Sequence, residues 1–237
     1  MVPAGRRGVQ KMAQETQPVL FCWSGGKDSA MALRVLRQQN GLRVAALLTT
    51  VTEGYERISM HGVRRELLLR QAHAIGLPLQ EVRIPPQCVN PIYEARMRDA
   101  MLAQKAAGVR CVAFGDIFLQ DLREYRERNL ALVEMSAMFP IWKCDTQELA
   151  QEFCALGFRA IAVCIDSNKL SCEFAGREVD ESFFRDLPEG VDPCGENGEF
   201  HTFVYDGPIF SNAIAVERGE VVERDGFYFC DLKEKAR

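Results

Sequence analysis

A short run of small and charged residues near the start of the chain has the composition of a phosphate-binding loop. Its members are Ser24, Gly25, Gly26, Lys27, Asp28 and Ser29. An apolar stretch typical of a buried strand precedes it at residues 19–23, and an amphipathic stretch typical of a helix follows it. Glycine lets the backbone approach a ligand closely, and the first N–H groups of a helix attract negative charge. The segment therefore predicts a site for a phosphate or pyrophosphate group.

The spacing of this segment differs from the two common nucleotide-binding fingerprints. The mononucleotide loop needs a glycine five positions before its Gly-Lys pair, and Ser or Thr after the lysine. Here Phe21 takes the first of these positions and Asp28 follows Lys27. The dinucleotide pattern Gly-x-Gly-x-x-Gly does not fit the segment either. An ordinary strand-to-helix turn is the simpler alternative to a binding loop.

A second segment, residues 191–202, also carries chemically active groups. It contains three carboxylates, a thiol and an imidazole together with two glycines, in the order Asp192, Cys194, Gly195, Glu196, Gly198, Glu199 and His201. Carboxylates hold Mg²⁺ or orient an amine. A solvated acidic turn is the alternative, but it does not explain the aromatic residues that follow at positions 200, 203 and 205. We therefore predict a site role for this segment.

Composition argues against several classes of protein. The 237 residues suit one large domain, or a domain with an appendage. A formal net charge of −4 provides no basic footprint for nucleic acid. No apolar run reaches the length of a membrane span, and the polar residues 1–17 lack the apolar centre of a secretory signal. We expect a cytoplasmic protein in which residues 1–17 form a disordered tail.

The nine cysteines are numerous, but no two have the Cys-x-x-Cys spacing. This spacing is typical of zinc ribbons and thioredoxin-type pairs, so neither is predicted. Thiols without a signal peptide suit a reducing compartment. We expect structural thiols, with one reactive cysteine as the alternative and Cys194 as its candidate.

Apolar and amphipathic stretches alternate along the first part of the chain. Strand patterns occur at residues 19–23, 44–50, 79–84, 111–114 and 139–142, and helical patterns at 28–39, 63–75, 92–107 and 121–138. This alternation predicts an α/β fold with a Rossmann-like, doubly wound parallel sheet over residues 18–142.

The pattern changes after residue 142. A helix is predicted at residues 146–156, a buried strand at 159–165, a short polar helix at 180–186 and a turn-rich segment at 190–210. Short antiparallel strands at 213–216, 221–224 and 226–230 would follow, with turns at Gly219 and at Asp225-Gly226. We predict a smaller α+β domain over residues 143–237.

Doubly wound sheets bind ligands beyond the carboxyl ends of their strands, where the strand order reverses. If the first strand is central, its neighbours are the second and the fourth predicted strands. The loop at residues 24–29 then meets Gly115 and Asp116, and Thr49 lies nearby. This arrangement agrees with a phosphate site at residues 24–29.

Four further short motifs accompany the two segments, namely Met60-His61-Gly62, Gly115-Asp116-Ile117, Pro140-Ile141-Trp142 and Asp206-Gly207-Pro208. The order and spacing of these motifs, over about residues 19–210, resemble those of the diphthine–ammonia ligase family. That family belongs to the N-type ATP pyrophosphatases, whose fold is adenine-nucleotide α-hydrolase-like. The run Asp192-Pro193-Cys194-Gly195 near the start of the second segment, together with His201, resembles the sequences of a bacterial-type branch of this family.

The resemblance implies an ATP-dependent carboxylate–ammonia ligase. A substrate carboxylate attacks the α-phosphate of ATP, pyrophosphate leaves, and ammonia displaces AMP to form an amide. The substrate in the named members is diphthine, a modified histidine. Bacteria are not expected to make diphthamide, so the carboxylate acceptor of a bacterial-type member stays unidentified. ATP and ammonia are the other expected partners, and a homodimer is an open alternative.

The resemblance also implies roles for individual residues. Residues 24–29 would bind pyrophosphate, with Lys27 and Asp28 in catalysis and Asp28 on Mg²⁺. The nucleotide crevice would be lined by Thr49, His61, Gly115 and Asp116. Glu196 and Glu199 would act on the acceptor or on ammonia. The substrate-binding residues would be Tyr125, Arg126, Arg128, Gly198, His201 and Thr202.

Two rival functions share parts of this pattern. A tRNA-modifying ATP pyrophosphatase of the thiolation or lysidine type shares the loop and the adenylation step. Sulfur transfer, however, needs a persulfide-carrying cysteine, usually paired. A nucleotide-binding sensor would bind ATP without cleaving it. The intact Lys27-Asp28-Ser29 run and the second segment favour catalysis over a sensor.

Overall fold

The computed structural model describes residues 16–59 and 62–235. The tail predicted over residues 1–17 lies outside the described residues, except for Thr16 and Gln17. His61, predicted to line the nucleotide crevice, also lies outside them.

The first sheet follows the predicted alternation of strands and helices. Its strands are β1 (Gln17–Cys22), β2 (Leu42–Thr52), β3 (Arg57–Ile58), β4 (Leu79–Ile84), β5 (Cys111–Ala113) and β6 (Ser136–Met138). The helices between them are α1 (Lys27–Gln38), α2 (Arg65–Ile75), α3 (Asn90–Ala106) and α4 (Gln120–Ala131). The strand order is β3-β2-β1-β5-β6, with β4 beside β2. All these pairs are parallel except β2 with β3.

β1 is central, as the topological argument requires. It pairs with β2 on one edge and with β5 on the other. Its alternate residues point to opposite faces of the sheet. Phe21 joins the core that α1 and α2 cover, whereas Leu20 joins the core that α3 and α4 cover. The sheet is therefore doubly wound, with its strand order reversing beside the loop that follows β1.

β3 is a short strand that the sequence pattern did not predict. β1 ends at Cys22, opposite Leu48, while β2 continues to Thr52. The end of β2 pairs with β4 on its far edge and with β3 on the edge that β1 has left. β3 therefore lies beyond the carboxyl end of β1, where it adds a wall to the crevice.

The second sheet is antiparallel and lies in the C-terminal part of the chain. This part contains α5 (Thr146–Ala155), β7 (Arg159–Asp166), α6 (Glu181–Arg185), β8 (Phe200–Asp206), β9 (Val216–Arg224) and β10 (Phe227–Glu234). The strand order is β8-β7-β10-β9. The predicted fold class, a doubly wound α/β domain with a smaller α+β domain, is confirmed. The boundary between residues 142 and 143 stays a prediction.

Several element bounds differ from those predicted. The helix predicted to residue 138 ends at Ala131, and the last strand of the first sheet is Ser136–Met138 and not 139–142. Glu134 has a φ of 53°, which breaks the helix, and residues 136–138 then pair with β5. The helical pattern of the sequence favoured a longer helix, but the pairing of residues 136–138 with β5 decided the local structure.

The C-terminal strands also differ from the prediction. The turn-rich segment contains β8, and β9 runs through Gly219 without a turn. The Asp225-Gly226 turn is confirmed, with φ values of 53° and 80° that suit a tight hairpin. A Cβ at Gly219 would lie 3.2 Å from the carbonyl oxygen of Asp231, so close strand packing explains this glycine.

Within the described part of the chain, no helix is both long and apolar enough to span a lipid bilayer.

Candidate functional site

A cavity of about 470 Å³ opens at the carboxyl ends of β1, β2 and β5, between the two sheets. Both sequence segments contribute to its wall. The predicted site residues that line it are Ser24, Gly26, Asp28, Ser29, Thr49, Gly115, Asp116, Arg126, Glu196, Gly198, His201 and Thr202. The structure thus brings most of the predicted residues together, although they are separated by up to about 180 positions in sequence.

The loop after β1 is held tightly at the start of α1. The Ser24 and Ser29 hydroxyl oxygens lie 2.6 Å apart, and the Gly26 N–H donates to Ser24 Oγ at 3.3 Å. Gly25 has a φ of 85°, which favours glycine. A Cβ on Gly115 would lie 3.1 Å from the backbone nitrogen of Ser29, so the loop after β5 packs against the first turn of α1. Small residues therefore keep the helix N-terminus open toward the cavity.

Lys27 is buried and joins the two segments. Its Nζ lies 2.7 Å from Asp28 Oδ1 and donates to the Cys194 carbonyl oxygen at 2.7 Å. Its backbone N–H donates to Thr202 Oγ1 at 2.9 Å. Burial alone would lower the pKa of the Lys27 ammonium, but the neighbouring Asp28 carboxylate raises it above its ordinary value. The lysine therefore stays charged and anchors the second segment over the first.

Asp28 combines a contact to Lys27 with exposure to the cavity. Its side chain is 28% exposed, so one face of the carboxylate is open to a ligand. Mg²⁺ is often held by one or two carboxylates together with the phosphate oxygens of a substrate. The described residues contain no cluster of three or more acidic, His or Cys side chains that would form a complete metal site. Asp28 thus fits a metal that is bound jointly with a nucleotide.

Asp192 folds the second segment into its shape. Its Oδ1 accepts from the backbone N–H groups of Cys194 and Glu196, at 2.8 and 3.2 Å, and its Oδ2 accepts from the Thr146 hydroxyl at 2.7 Å. Gly195 has a φ of 67°, and a Cβ there would lie 2.7 Å from the Phe200 carbonyl oxygen. The segment is therefore a fixed loop anchored to the start of α5.

Glu196 reaches from this loop to the first domain. Its Oε1 accepts from the Ile117 N–H at 2.8 Å and from the Phe118 N–H at 3.4 Å. Burial raises the pKa of the Glu196 carboxyl to about 7, and the Asp28 and Asp116 carboxylates add to this rise, whereas the two N–H groups oppose it. A carboxyl group with a pKa near neutrality is suited to proton transfer.

Glu199 is placed differently from Glu196. It is 1% exposed and is not among the residues that line the cavity. Its Oε1 accepts from the Asp192 N–H at 3.3 Å and from Asn197 Nδ2 at 3.1 Å. Its Oε2 is buried without a hydrogen-bond partner among the described residues. These contacts show that Glu199 stabilises the loop from inside, whereas other residues of the loop face the cavity.

Arg126 is the one of three predicted residues on α4 that lines the cavity. Its guanidinium forms an ion pair with Asp116, with Nε–Oδ2 and Nη2–Oδ1 distances of 2.6 and 3.0 Å, and stacks over Phe114 at 4.3 Å. Tyr125 instead donates to Glu94 at 3.0 Å in the groove between α3 and α4, and Arg128 is exposed. Tyr125 and Arg128 therefore lie outside the described cavity lining, since successive helical residues face different directions.

Three further ionisable side chains of the cavity are held in their neutral forms. Burial lowers the pKa of His201, although the Asp28 carboxylate opposes this effect. Burial raises the pKa of the Cys194 thiol far above its ordinary value. Burial also raises the pKa of Cys22, to about 12. Neither thiol is therefore a ready thiolate, which is the nucleophilic form of cysteine.

Sequence reasoning missed several residues that shape the site. Gln71 bonds to the loop after β1 from inside α2. Tyr93 and Met97 of α3 add an apolar wall. The position of Gln71 was a usable signal, because it interrupts the apolar face formed by Leu67, Leu68, Ala72 and Ile75.

Comparison with known families agrees with this two-part architecture. Residues 18–134 match the family described as diphthamide synthase N-terminal domain, and residues 145–236 match the diphthamide synthase C-terminal domain. The chain belongs to the diphthamide synthase family. The matched ranges contain β1 with its loop and the whole second segment, so both walls of the cavity are parts of this family's two domains.

Several curated relatives of this diphthamide synthase family member are diphthine–ammonia ligases. The protein from Schizosaccharomyces pombe is 25% identical over 236 residues, covering 92% of this chain but 39% of that protein. The protein from Bos taurus is 28% identical over 177 residues, covering 68% of this chain and 66% of that protein. The protein from Homo sapiens is 25% identical, covering 84% of this chain and 82% of that protein. The chain thus spans less than two thirds of the length of the first two relatives.

Proposed function

We propose that the protein is an ATP-dependent carboxylate–ammonia ligase of the diphthine–ammonia ligase type. The observation that carries this proposal is that the loop after β1 and the loop at residues 191–202 form one cavity. The two loops are bonded to each other through Lys27 at both its Nζ and its backbone N–H. An anion site and a carboxyl group with a pKa of about 7 therefore face the same space.

The first half-reaction uses the loop at residues 24–29. An acceptor carboxylate oxygen attacks the α-phosphorus of ATP, the bond to the bridging oxygen breaks, and pyrophosphate leaves as an acyl-adenylate forms. The helix N-terminus and the Ser24 and Ser29 hydroxyls stabilise the charge on the departing pyrophosphate. During this step, the Lys27 ammonium holds the Asp28 carboxylate in place. Thr49, Gly115 and Asp116 form the adjoining nucleotide wall, and we assign His61 to it as well.

Mg²⁺ fits the same site, where Asp28 would hold it together with phosphate oxygens. When bound, the ion would neutralise part of the charge on the triphosphate. Asp28 supports this assignment because its carboxylate is partly open to the cavity while Lys27 fixes its orientation.

The second half-reaction uses the loop at residues 191–202. Ammonia attacks the acyl carbon, AMP leaves with the electrons of the acyl–oxygen bond, and the nitrogen loses a proton. Glu196 is the base that accepts this proton, because its pKa of about 7 lets it ionise near neutral pH. Glu199 supports this step by bracing the loop, and Gly198, His201 and Thr202 line the acceptor side. Arg126 faces the acceptor, whereas Tyr125 and Arg128 would contact only a larger acceptor.

The acceptor itself is proposed only as a carboxylate. Diphthine is the acceptor that the names of the relatives indicate. The Asp192-Pro193-Cys194-Gly195 lead-in and His201 favour a bacterial-type branch with a different acceptor. All nine cysteines are free thiols, which suits the reducing cytoplasm where we place the protein. For the assembly of the protein, the proposal is a homodimer.

The two rival functions receive less support. A thiolation enzyme needs a reactive thiol, but burial disfavours the thiolates of both cavity cysteines, Cys22 and Cys194. A non-catalytic sensor does not require a carboxyl group with a raised pKa beside the anion loop. We therefore retain the ligase as the proposed function.

The decisive experiment follows the oxygen atoms of the acceptor. The protein is incubated with ATP, Mg²⁺, ammonium and candidate acceptors whose carboxylates carry ¹⁸O, and the nucleotide products are separated and weighed. Adenylation predicts AMP and pyrophosphate, with one ¹⁸O atom in the AMP phosphate when amide forms. ADP and phosphate as the only products would overturn the proposal. Asp28→Asn is the matched catalytic control.

A further inference from the structure

Gln71 is a fully buried polar residue in the middle of α2. Its neighbours on the same helix face are Leu67, Leu68, Ala72 and Ile75, which are buried in the apolar core. A buried amide in such a place destabilises the fold unless its donors and its acceptor are paired. The partners that it finds therefore show what the residue does.

The three hydrogen bonds of the Gln71 amide join the anion loop to the segments on either side of it. Oε1 accepts from the indole Nε1 of Trp23 at 2.9 Å. Nε2 donates to the Gly25 carbonyl oxygen at 2.9 Å and to the Val204 carbonyl oxygen at 2.6 Å. One side chain thus bonds to the end of the β1 segment, to the loop that follows it and to β8 of the C-terminal sheet.

The contact with Gly25 is also a steric one. Gly25 has a φ of 85°, and a Cβ at this position would lie 2.8 Å from Gln71 Oε1. The Gly25 carbonyl oxygen accepts a second hydrogen bond from the Val204 N–H at 2.9 Å. With its carbonyl held by these two donors, the Gly25 peptide has one orientation, which fixes the direction in which the loop continues through Gly26 into α1.

We propose that Gln71 is a positioning residue for the pyrophosphate loop, coupling the loop's conformation to the seating of β8. This inference rests on the proposed function, because it assigns a residue that acts through the loop proposed to bind pyrophosphate. Gln71 does not touch the ligand. It fixes the backbone that does, and the bond to Val204 lets the C-terminal sheet contribute to anion binding.

The test separates positioning from general stability by using two probes. The Gln71→Met variant keeps the length and volume of the side chain but removes both N–H donors. Binding of inorganic pyrophosphate with Mg²⁺ and binding of adenosine are each measured by calorimetry, well below the melting temperature of every variant. Pyrophosphate reports on the loop, whereas adenosine reports on the nucleotide wall alone. We expect the affinity for pyrophosphate to fall about tenfold or more, and the affinity for adenosine to change less than about twofold.

Two further variants complete the design. Gln104→Met is the matched control, because Gln104 Nε2 of α3 donates to Gln80 Oε1 of β4 and neither residue lines the cavity. It should leave both affinities unchanged. If Gln71→Met does not fold, Gln71→Glu takes its place, since the introduced carboxyl group can still accept from Trp23. Protonation restores one donor, so its pyrophosphate affinity relative to wild type should recover as the pH falls.

The outcomes distinguish this inference from the proposed function. Unchanged pyrophosphate affinity in a folded Gln71 variant would overturn the positioning role while leaving the ligase proposal intact. Equal loss of both affinities would also overturn it, because that result indicates a general effect on the fold. If the wild-type protein bound neither pyrophosphate nor adenosine, the proposed function itself would fail.

Discussion

The Glu196 carboxylate accepts a hydrogen bond from the backbone N–H of Ile117 across 2.8 Å. Ile117 belongs to the loop after β5 of the parallel sheet, whereas Glu196 belongs to the loop before β8 of the antiparallel sheet. The bond therefore joins two parts of the chain that lie 79 positions apart. It also holds an ionisable group at the cavity, where burial has raised its pKa to about 7.

Amide formation should depend on the ionisation of Glu196. With the concentration of free ammonia held constant, the rate should rise as the pH increases through about 7, because the ionised carboxylate accepts the proton. Glu196→Gln should remove this inflection and lower amide formation about 100-fold. Adenylation, followed by exchange of labelled pyrophosphate into ATP, should persist. Glu134→Gln, at an exposed position, is the control. An unchanged inflection in the Glu196 variant would contradict the assignment.

The same group should influence stability. The pKa of Glu196 is raised from an ordinary value of 4.5 to about 7, so the folded state binds more protons than the unfolded state between these values. The contribution of Glu196 to the free energy of unfolding is therefore fully present below pH 4.5 and is lost as the pH rises through about 7. Urea titrations of wild type and Glu196→Gln should diverge across this window. Parallel curves would show that Glu196 titrates normally.

Substitution of Lys27 should destabilise the fold more than substitution of Asp28. Asp28→Asn should reduce AMP formation about 100-fold with only a small fall in melting temperature, because the introduced amide oxygen can still accept from Lys27 Nζ at this partly exposed position. Lys27→Ala should abolish turnover and also destabilise the fold by about 1–3 kcal/mol, since it leaves the buried Cys194 carbonyl without its donor. Chromatography of the nucleotides and thermal melts provide the two measurements. Lys105→Ala, which removes a surface ion pair with Glu134, is the control.

Full turnover in folded forms of both the Asp28 and the Lys27 variants would contradict the assignment of residues 24–29 as the reacting site. Normal melting of Lys27→Ala would contradict the claim that this lysine anchors the second segment.

Glu199→Gln should separate the two loops functionally. The nucleotide contacts proposed here come from the first loop, so ATP affinity by calorimetry should change little. Amide formation should fall about tenfold, because a neutral amide oxygen accepts more weakly than the Glu199 carboxylate from Asp192 and Asn197, which hold the loop that carries Glu196. The inflection of the rate near pH 7 should remain. Loss of ATP binding with intact turnover of the bound fraction would place Glu199 in the nucleotide site instead.

Cys194→Ser should leave both half-reactions in place. Lys27 Nζ donates to the backbone carbonyl of Cys194 at 2.7 Å, and the substitution keeps that contact. A ligase should retain AMP formation and acceptor modification within about threefold, as mass spectrometry of the acceptor can show. Loss of the second half-reaction alone, with adenylation intact, would instead favour a thiolation enzyme. Cys172→Ser, at an exposed position, is the control.

The elements of the fold were predicted best where the spacing of apolar residues and the turn-forming residues pointed to the same structure. The pairing of β1 with β2 and β5 followed from a doubly wound alternation of strands and helices once β1 was taken as the central strand. The hairpin at Asp225-Gly226 was predicted because both residue types tolerate the positive φ that a tight turn requires. The pattern was less informative at residues 132–142, where a helical period continued into a segment that pairs as β6.

The site was predicted as a set of residue types, and the tertiary structure decided their roles. Local spacing was enough to predict the anion loop, because glycines and a helix start act on their immediate neighbours. It did not separate Glu196 from Glu199, or Arg126 from Tyr125 and Arg128. The direction of each side chain depends on packing between distant segments. The raised pKa of Glu196 and the bonds of Gln71 exist only after the C-terminal sheet closes against the loop, because burial and long-range contacts are properties of the folded chain.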